Sequence, residues 1–190
     1  FRKENLDKFI KEGFPSKKNE NWKFSDISQI IQNNIGDLKY YNDYSLSEKA
    51  DNLKYVSEFD HNKIIFVNGK VEKIDLKYEE KNKIEILDTY EVDRKLQSIN
   101  SLVALNNVFK SKDHRIIVKK NYSLQKPLII YNTTNNKISS KNLNLSLNFV
   151  LEENSSLKLI NISDDNSGCN FINNYYSFQL KENSILKNYN

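Results

Sequence analysis

Three stretches of the chain share one frame, and that frame limits the folds open to it. They run 118–125, 151–158 and 180–187. Each reads apolar residue, two charged residues, Asn, two further residues, Leu, then Gln or Lys. The shared asparagines are Asn121, Asn154 and Asn183, spaced by 33 and 29 residues. A frame that returns every 20–50 residues marks a repeat architecture. Each unit of such a fold buries its apolar side against the next unit.

The segments between the frames alternate with period two. Leu143, Leu145, Leu147, Phe149 and Leu151 share one side, and Asn144, Ser146, Asn148 and Val150 take the other. Ile172, Tyr176, Phe178 and Leu180 follow the same rule. Alternation of this kind buries one face of a strand and wets the other. The frame then reads as a corner. Asn enters the left-handed region at little cost, and equivalent side chains stacked in register can hydrogen-bond from unit to unit. Two strands per unit and a constant corner predict a parallel β-helix, with an antiparallel sandwich as the competitor.

Upstream the pattern differs. Leu6, Phe9 and Ile10 form a short helical face, which Gly13 ends and Pro15 blocks. Ser25 is the expected N-cap of a second helix carrying Ile27, Ile30 and Ile31, with Gly36 near its end. Ser47, Ala50, Leu53 and Val56 suggest a third. Asn68-Gly69 between Ile64–Val67 and Val71 is a type I′ hairpin signal, because both residues tolerate positive φ. Ile84–Leu87 is a further strand. Residues 91–110 return to a helical pattern with Leu96, Ile99, Leu102, Val103, Leu105 and Phe109. That helix is rich in Asn and Ser, so packing must hold it. The expected division is a helical domain over 1–60, a hairpin-plus-helix linking region over 61–114, and the first coils of a β-helix over 115–190.

Chemistry is thinly signalled. Net charge is +4 with both signs interspersed, and the lysine doublets at 17–18 and 119–120 are short, which argues against a nucleic-acid surface. One cysteine excludes an internal disulfide and suits a reducing compartment. No apolar run reaches the roughly 18 residues of a membrane span. His61 beside Asp60 and His114 beside Asp113 read as solvated pairs in polar loops. Cys169 reads as a small turn residue, Asp164-Asp165 as turn chemistry and Trp22 as a packing anchor. No catalytic, cofactor-binding or metal-ligating residues are assigned. The chain has no Met and stops inside the third frame, so it is expected to be a fragment whose uncapped edge self-associates.

The segment 13–26 resembles the N-terminal signature of the SufB/SufD family of iron–sulfur cluster assembly proteins. Gly13, Pro15, Ser16, Glu20, Trp22, Lys23 and Ser25 match it, with Phe24 where the family usually has Tyr. Phe66–Gly69, Ala104–Asn106 with Phe109, Lys126–Ile130 and Leu151–Leu157 resemble later family stretches in the same order, closest to the SufD branch. The resemblance implies an N-terminal helical domain and a right-handed parallel β-helix. It implies a non-catalytic, cytoplasmic scaffold that partners SufB-like and SufC-like (ATPase) proteins. Iron or an iron–sulfur cluster would be handled by the whole complex. Members are about twice as long, and their partner and cluster positions lie mainly beyond this stretch. The competing readings are a carbohydrate-active or carbohydrate-binding β-helix and a nucleic-acid-binding module.

Overall fold

The computed structural model describes residues 1–41, 49–50, 53–89, 100–166 and 169–189. Strands dominate these, joined by three α-helices. Helix α1 spans Arg2–Glu12, and the Gly13 N–H caps it by donating to the Phe9 carbonyl at 2.7 Å. Gly13 has φ 66°, which only glycine holds without strain. The apolar face differs from expectation: Asn5 is buried and Ile10 is 71% exposed. Helix α2 spans Ile27–Asn34. Asp26, not Ser25, caps it by accepting the Gln29 N–H at 3.1 Å. Ile31 is its buried residue and Ile30 is half exposed.

The third expected helix starts at Ser47, outside the described residues. Residues 53–56 are not helical. Ala50, Leu53 and Val56 still pack together, as a strap over Ile65, Val67, Ile129 and Tyr131. Leu96 and Ile99 also lie outside the described residues; α3 is described over Ser101–Phe109. Its N-cap Asn100 accepts the Val103 N–H at 3.0 Å.

The strands form two five-stranded sheets. The first contains β1 (Lys39–Tyr40), β4 (Ile84–Thr89), β5 (Asp113–Val118), β7 (Lys141–Leu151) and β9 (Phe171–Leu180). The second contains β2 (Asn62–Val67), β3 (Lys70–Asp75), β6 (Leu128–Thr133), β8 (Ser156–Asp164) and β10 (Ile185–Tyr189). Strands β5, β7 and β9 pair in parallel, and so do β2, β6, β8 and β10. Val118 faces Leu151 and Leu151 faces Leu180, so the strand register advances by the spacings of the asparagine frame. Ser123 pairs with Ser156 but Leu128 with Leu159, so the first unit holds two extra residues before β6.

Residues 61–114 are more than a linking region. β2 joins the second sheet beside β6, and β3 folds back on it through Asn68-Gly69, both at positive φ. β4 runs antiparallel on β5. The core lies between the sheets: Ile64, Phe66, Ile116, Val118, Leu128, Ile130, Leu145, Leu147, Phe149, Leu151, Leu157 and Leu159. The β7 side chains between the sheets, Leu145, Leu147, Phe149 and Leu151, come from the odd-numbered set that the alternation marked, while Val150 is buried on the other face. Among the described residues no helix is long and apolar enough to cross a membrane.

Candidate functional site

The asparagine corners behave as the sequence predicts. Asn121, Asn154 and Asn183 have φ of 57°, 55° and 55°. The Asn154 amide donates to Asn121 Oδ1 at 3.0 Å, and the Asn183 amide donates to Asn154 Oδ1 at 3.2 Å. The backbone repeats this, with Asn121 N–H donating to the Glu153 carbonyl and Asn154 N–H to that of Glu182. Lys120 pairs with Glu153 alongside. The ladder is directional, each side chain donating to the preceding unit, and it fixes register while offering no reactive group.

The polar side of β7 is not wet. Asn142 and Ser146 are fully buried and Asn144 is 7% exposed. Helix α3, itself backed by α1, covers this side and supplies the polar partners that water would have given. The Asn106 amide donates to the carbonyls of Leu145 (3.0 Å) and Asn173 (2.8 Å). The Asn173 amide donates to the Leu102 carbonyl at 2.9 Å and to Asn144 Oδ1 at 3.0 Å. The Asn107 amide reaches Asn5 Oδ1 of α1 at 3.3 Å. Each buried amide group left without a partner costs about 1–3 kcal/mol; these bonds avoid that cost along most of the seam, while Asn106 Oδ1 and Asn142 Nδ2 bear it.

At the end of this seam lies a buried charge cluster. Lys110 Nζ donates to Asp113 Oδ1 at 2.7 Å, and Ser146 Oγ donates to the same oxygen. Both charged side chains are about nine-tenths buried. Burial pulls the Lys110 ammonium down, and the Asp113 hydrogen bond and charge oppose it. A serine beside a lysine invites a nucleophile reading, but Ser146 is 0% exposed and no substrate reaches it.

Asp113 therefore does not serve His114, contrary to the solvated-pair expectation. The two are neighbours in β5 and point to opposite faces. His114 points into the core, 1% exposed, with its ring edge-on to Phe66. Its partner is Asp88, directly opposite on β4, with Nδ1 2.7 Å from Oδ1. Burial lowers the His114 pKa, and the bond to Asp88 and its charge oppose that. Burial pushes the Asp88 carboxyl up, but hydrogen bonds from Lys112 and His114 outweigh it and leave it below its usual range. Nε2 is buried without a partner, which fits a neutral ring. In the next unit but one, Tyr176 lies on the same inward row, and burial pushes its phenol up to about 12.

His61 likewise passes over its sequence neighbour. Asp60 accepts the Tyr78 hydroxyl at 2.7 Å and lies 3.7 Å from Lys126 Nζ. His61 instead bonds the Phe59 carbonyl through Nδ1 and Tyr131 through Nε2. An open cleft of about 510 Å³ surrounds it, lined by residues 56–61, Lys63, Lys77 and Tyr78. Ligand pockets are mostly apolar and enclosed. This cleft is polar and open, so it lacks that character.

The remaining candidates lie in turns and loops. Asp165 accepts from Thr134 Oγ1 at 2.6 Å and from the backbone and side chain of Asn170, which is turn chemistry. Cys169 is half-buried, and its carbonyl accepts the Ser140 N–H. Trp22 ends a 3₁₀ turn and is only partly buried. Among the described residues no three His, Cys, Asp or Glu side chains gather closely enough to hold a metal ion.

Sequence reasoning missed Glu79. Its carboxylate accepts from the Tyr122 hydroxyl (2.7 Å), from the N–H groups of Gln125 and Lys126 (3.1 Å each) and from the Asn62 amide (2.5 Å). It thereby holds the two-residue insertion before β6. Nothing local marks this role, because the partners lie 17 to 47 residues away.

The late edge of each sheet is open among the described residues. β9 and β10 have no further partner, and Phe178, Leu180, Ile185 and Tyr189 are 38–56% exposed. Such an edge offers unpaired backbone groups and apolar side chains to another strand. No protein-family model and no curated protein matches the chain.

Proposed function

We propose that this chain is the first part of a SufD-like scaffold subunit, a non-catalytic member of a cytoplasmic SufB–SufC–SufD-type complex for iron–sulfur cluster assembly. Its two sheets are then the opening coils of a right-handed parallel β-helix. The observation that carries the fold reading is the parallel register. Strands β5, β7 and β9 pair at offsets equal to the spacing of the asparagine corners, as do β8 and β10, while β6 meets β8 in parallel two residues short of that spacing. The ladder of side-chain amides between those corners supports it further. The family reading rests on the ordered motifs, and the hairpin at Phe66–Gly69 folds as that motif requires.

A carbohydrate-binding β-helix needs an accessible polar strand face. Here the polar side of β7 is sealed by α3, which takes away the surface such a ligand would track. The scaffold's work is to hold SufB-like and SufC-like partners, with iron or the cluster handled by the assembly. The test is co-purification of the full-length protein with those partners from the same source. A stable complex is expected, and its absence overturns the proposal.

A further inference from the structure

The hairpin turn between β2 and β3 carries a reactivity that the fold has to manage. It is Asn68-Gly69, with Val67 paired to Lys70 across it. Asparagine before glycine is chemically labile, because glycine has no side chain to shield its nitrogen. The Gly69 nitrogen attacks the Asn68 side-chain carbonyl carbon, gives up its proton and expels the side-chain nitrogen as ammonia. Water then opens the five-membered imide at either carbonyl. The products are aspartate, or an isoaspartyl link in which the main chain runs through the side-chain carbon.

Two features of the structure hold the reaction back. Asn68 has φ 50°, in the left-handed region, where ψ is about +47°. There the next nitrogen stands nearly anti to Cβ about the Cα–C bond, whereas ring closure needs it nearly eclipsed. The side chain is also held at both ends. The Asn135 N–H donates to Asn68 Oδ1 at 3.1 Å, which leaves Nδ2 to donate to Asn135 Oδ1 at 3.0 Å. Asn135 Oδ1 accepts the Lys137 N–H at 3.2 Å as well, so it is fixed in turn. The Asn68 N–H donates to the Thr133 carbonyl at 3.0 Å. Asn68 and Asn135 are each 1% exposed. A Cβ built on Gly69 would meet the Asn144 carbonyl at 3.7 Å, so β7 backs the turn.

The products do not fit the same place. A carboxylate puts oxygen where Nδ2 donated, facing Asn135 Oδ1. An isoaspartyl link adds a backbone carbon to a two-residue turn whose geometry matches its strands. Either change loosens β3, the outermost strand on the early side of the second sheet.

We propose that Asn68-Gly69 is a deamidation site that the Asn135 clasp keeps shut, so that release of the hairpin is recorded covalently. The site lies apart from the corners and from the open edge, so it does not depend on the scaffold reading. Peptide mapping by mass spectrometry, following conversion of Asn68 to aspartate and isoaspartate, tests it. At one pH and temperature the chain unfolded in guanidinium chloride should convert faster than the folded chain. Two bonds of ordinary net strength correspond to a difference of about 30-fold. In sub-denaturing guanidinium chloride the wild-type rate should rise in proportion to hydrogen exchange of the Asn68 amide. Asn135→Ala, once shown to be folded, should convert several-fold faster than folded wild type, the backbone still holding back the rest. Equal rates in folded and unfolded wild type, no conversion in the unfolded chain, or a rate that ignores Asn68 amide exchange overturns the proposal. So does a folded Asn135→Ala chain that converts no faster than wild type.

Discussion

The early and late edges of the two sheets are built from different material. On the early side, β3 and β4 are short, run antiparallel to their neighbours and alternate with charge: Lys70, Glu72, Lys73 and Asp75 in one, Glu85 and Asp88 in the other. On the late side, β9 is ten residues long, continues the parallel pairing and exposes Phe178 and Leu180, with Ile185 and Tyr189 following in β10. Charged, short, reversed strands are how sheets end without recruiting another chain. Long apolar strands in unbroken register are how sheets continue. Residues at one position of the repeat therefore live in different environments, and their burial rather than their identity sets their energetic weight.

The largest effect should come from the interior charge cluster that belongs to neither edge. Asp113→Ala leaves Lys110 buried without its counter-ion, which costs about 3–5 kcal/mol in denaturant unfolding. Retention of wild-type stability would mean that Lys110 reaches water unaided. Next, Leu151 and Leu180 occupy one position of successive units, 0% and 50% exposed. Leu151→Ala should cost about 2–5 kcal/mol and Leu180→Ala under about 1 kcal/mol. Equal losses would erase the contrast between interior and late edge.

The corners give a graded series. Asn154→Ala loses both ladder bonds and places Ala at positive φ, for about 1–3 kcal/mol. Asn154→Gly keeps the conformation and should recover part of the loss. Asn183→Ala, with a bond on one side only, should cost less than Asn154→Ala.

The early side should also carry a pH signature. The folded pKa of His114 lies below its unfolded value of about 6.5, so its stability is complete above that pH. Stability then declines as pH falls from there through the folded value, because the unfolded chain takes up the proton first. Asp88 is depressed from the carboxylate range, so its own contribution is lost only at lower pH. Urea midpoints between pH 7.5 and 5.5 should slope in the wild type and flatten in His114→Gln. Persistence of the slope in that variant would move the signal elsewhere.

The smallest effect concerns association. Light scattering should show concentration-dependent growth of this 190-residue chain. Ile185→Lys should suppress it, and Ile74→Lys on β3 should not. A monomer at all concentrations would show that the late edge protects itself.

Local rules made much of this legible. The Asn68-Gly69 turn, the Gly13 stop and the positive-φ asparagines follow from backbone sterics, which a residue carries wherever it sits. The odd-numbered core side of β7 follows from the pleat. The N-cap of α2 was displaced by one residue because Ser25 and Asp26 are both competent caps, and sequence does not rank them. The histidines were misread because adjacency in a strand puts side chains on opposite faces, and their partners come from other strands. Glu79 was silent for the same reason.

The sequence by itself therefore determined the period, the corners and which side of each strand is apolar, since these depend on torsion preference and alternation. Tertiary structure alone decided that the polar side of β7 is dry. An asparagine reads as solvated until another element brings amides and carbonyls to it, and α3 does so from about 40 residues away, Asn106 to Leu145. It also decided which copy of the repeat is covered among the described residues, because burial depends on what packs alongside: Leu151 and Leu180 hold one position of the frame and are 0% and 50% exposed.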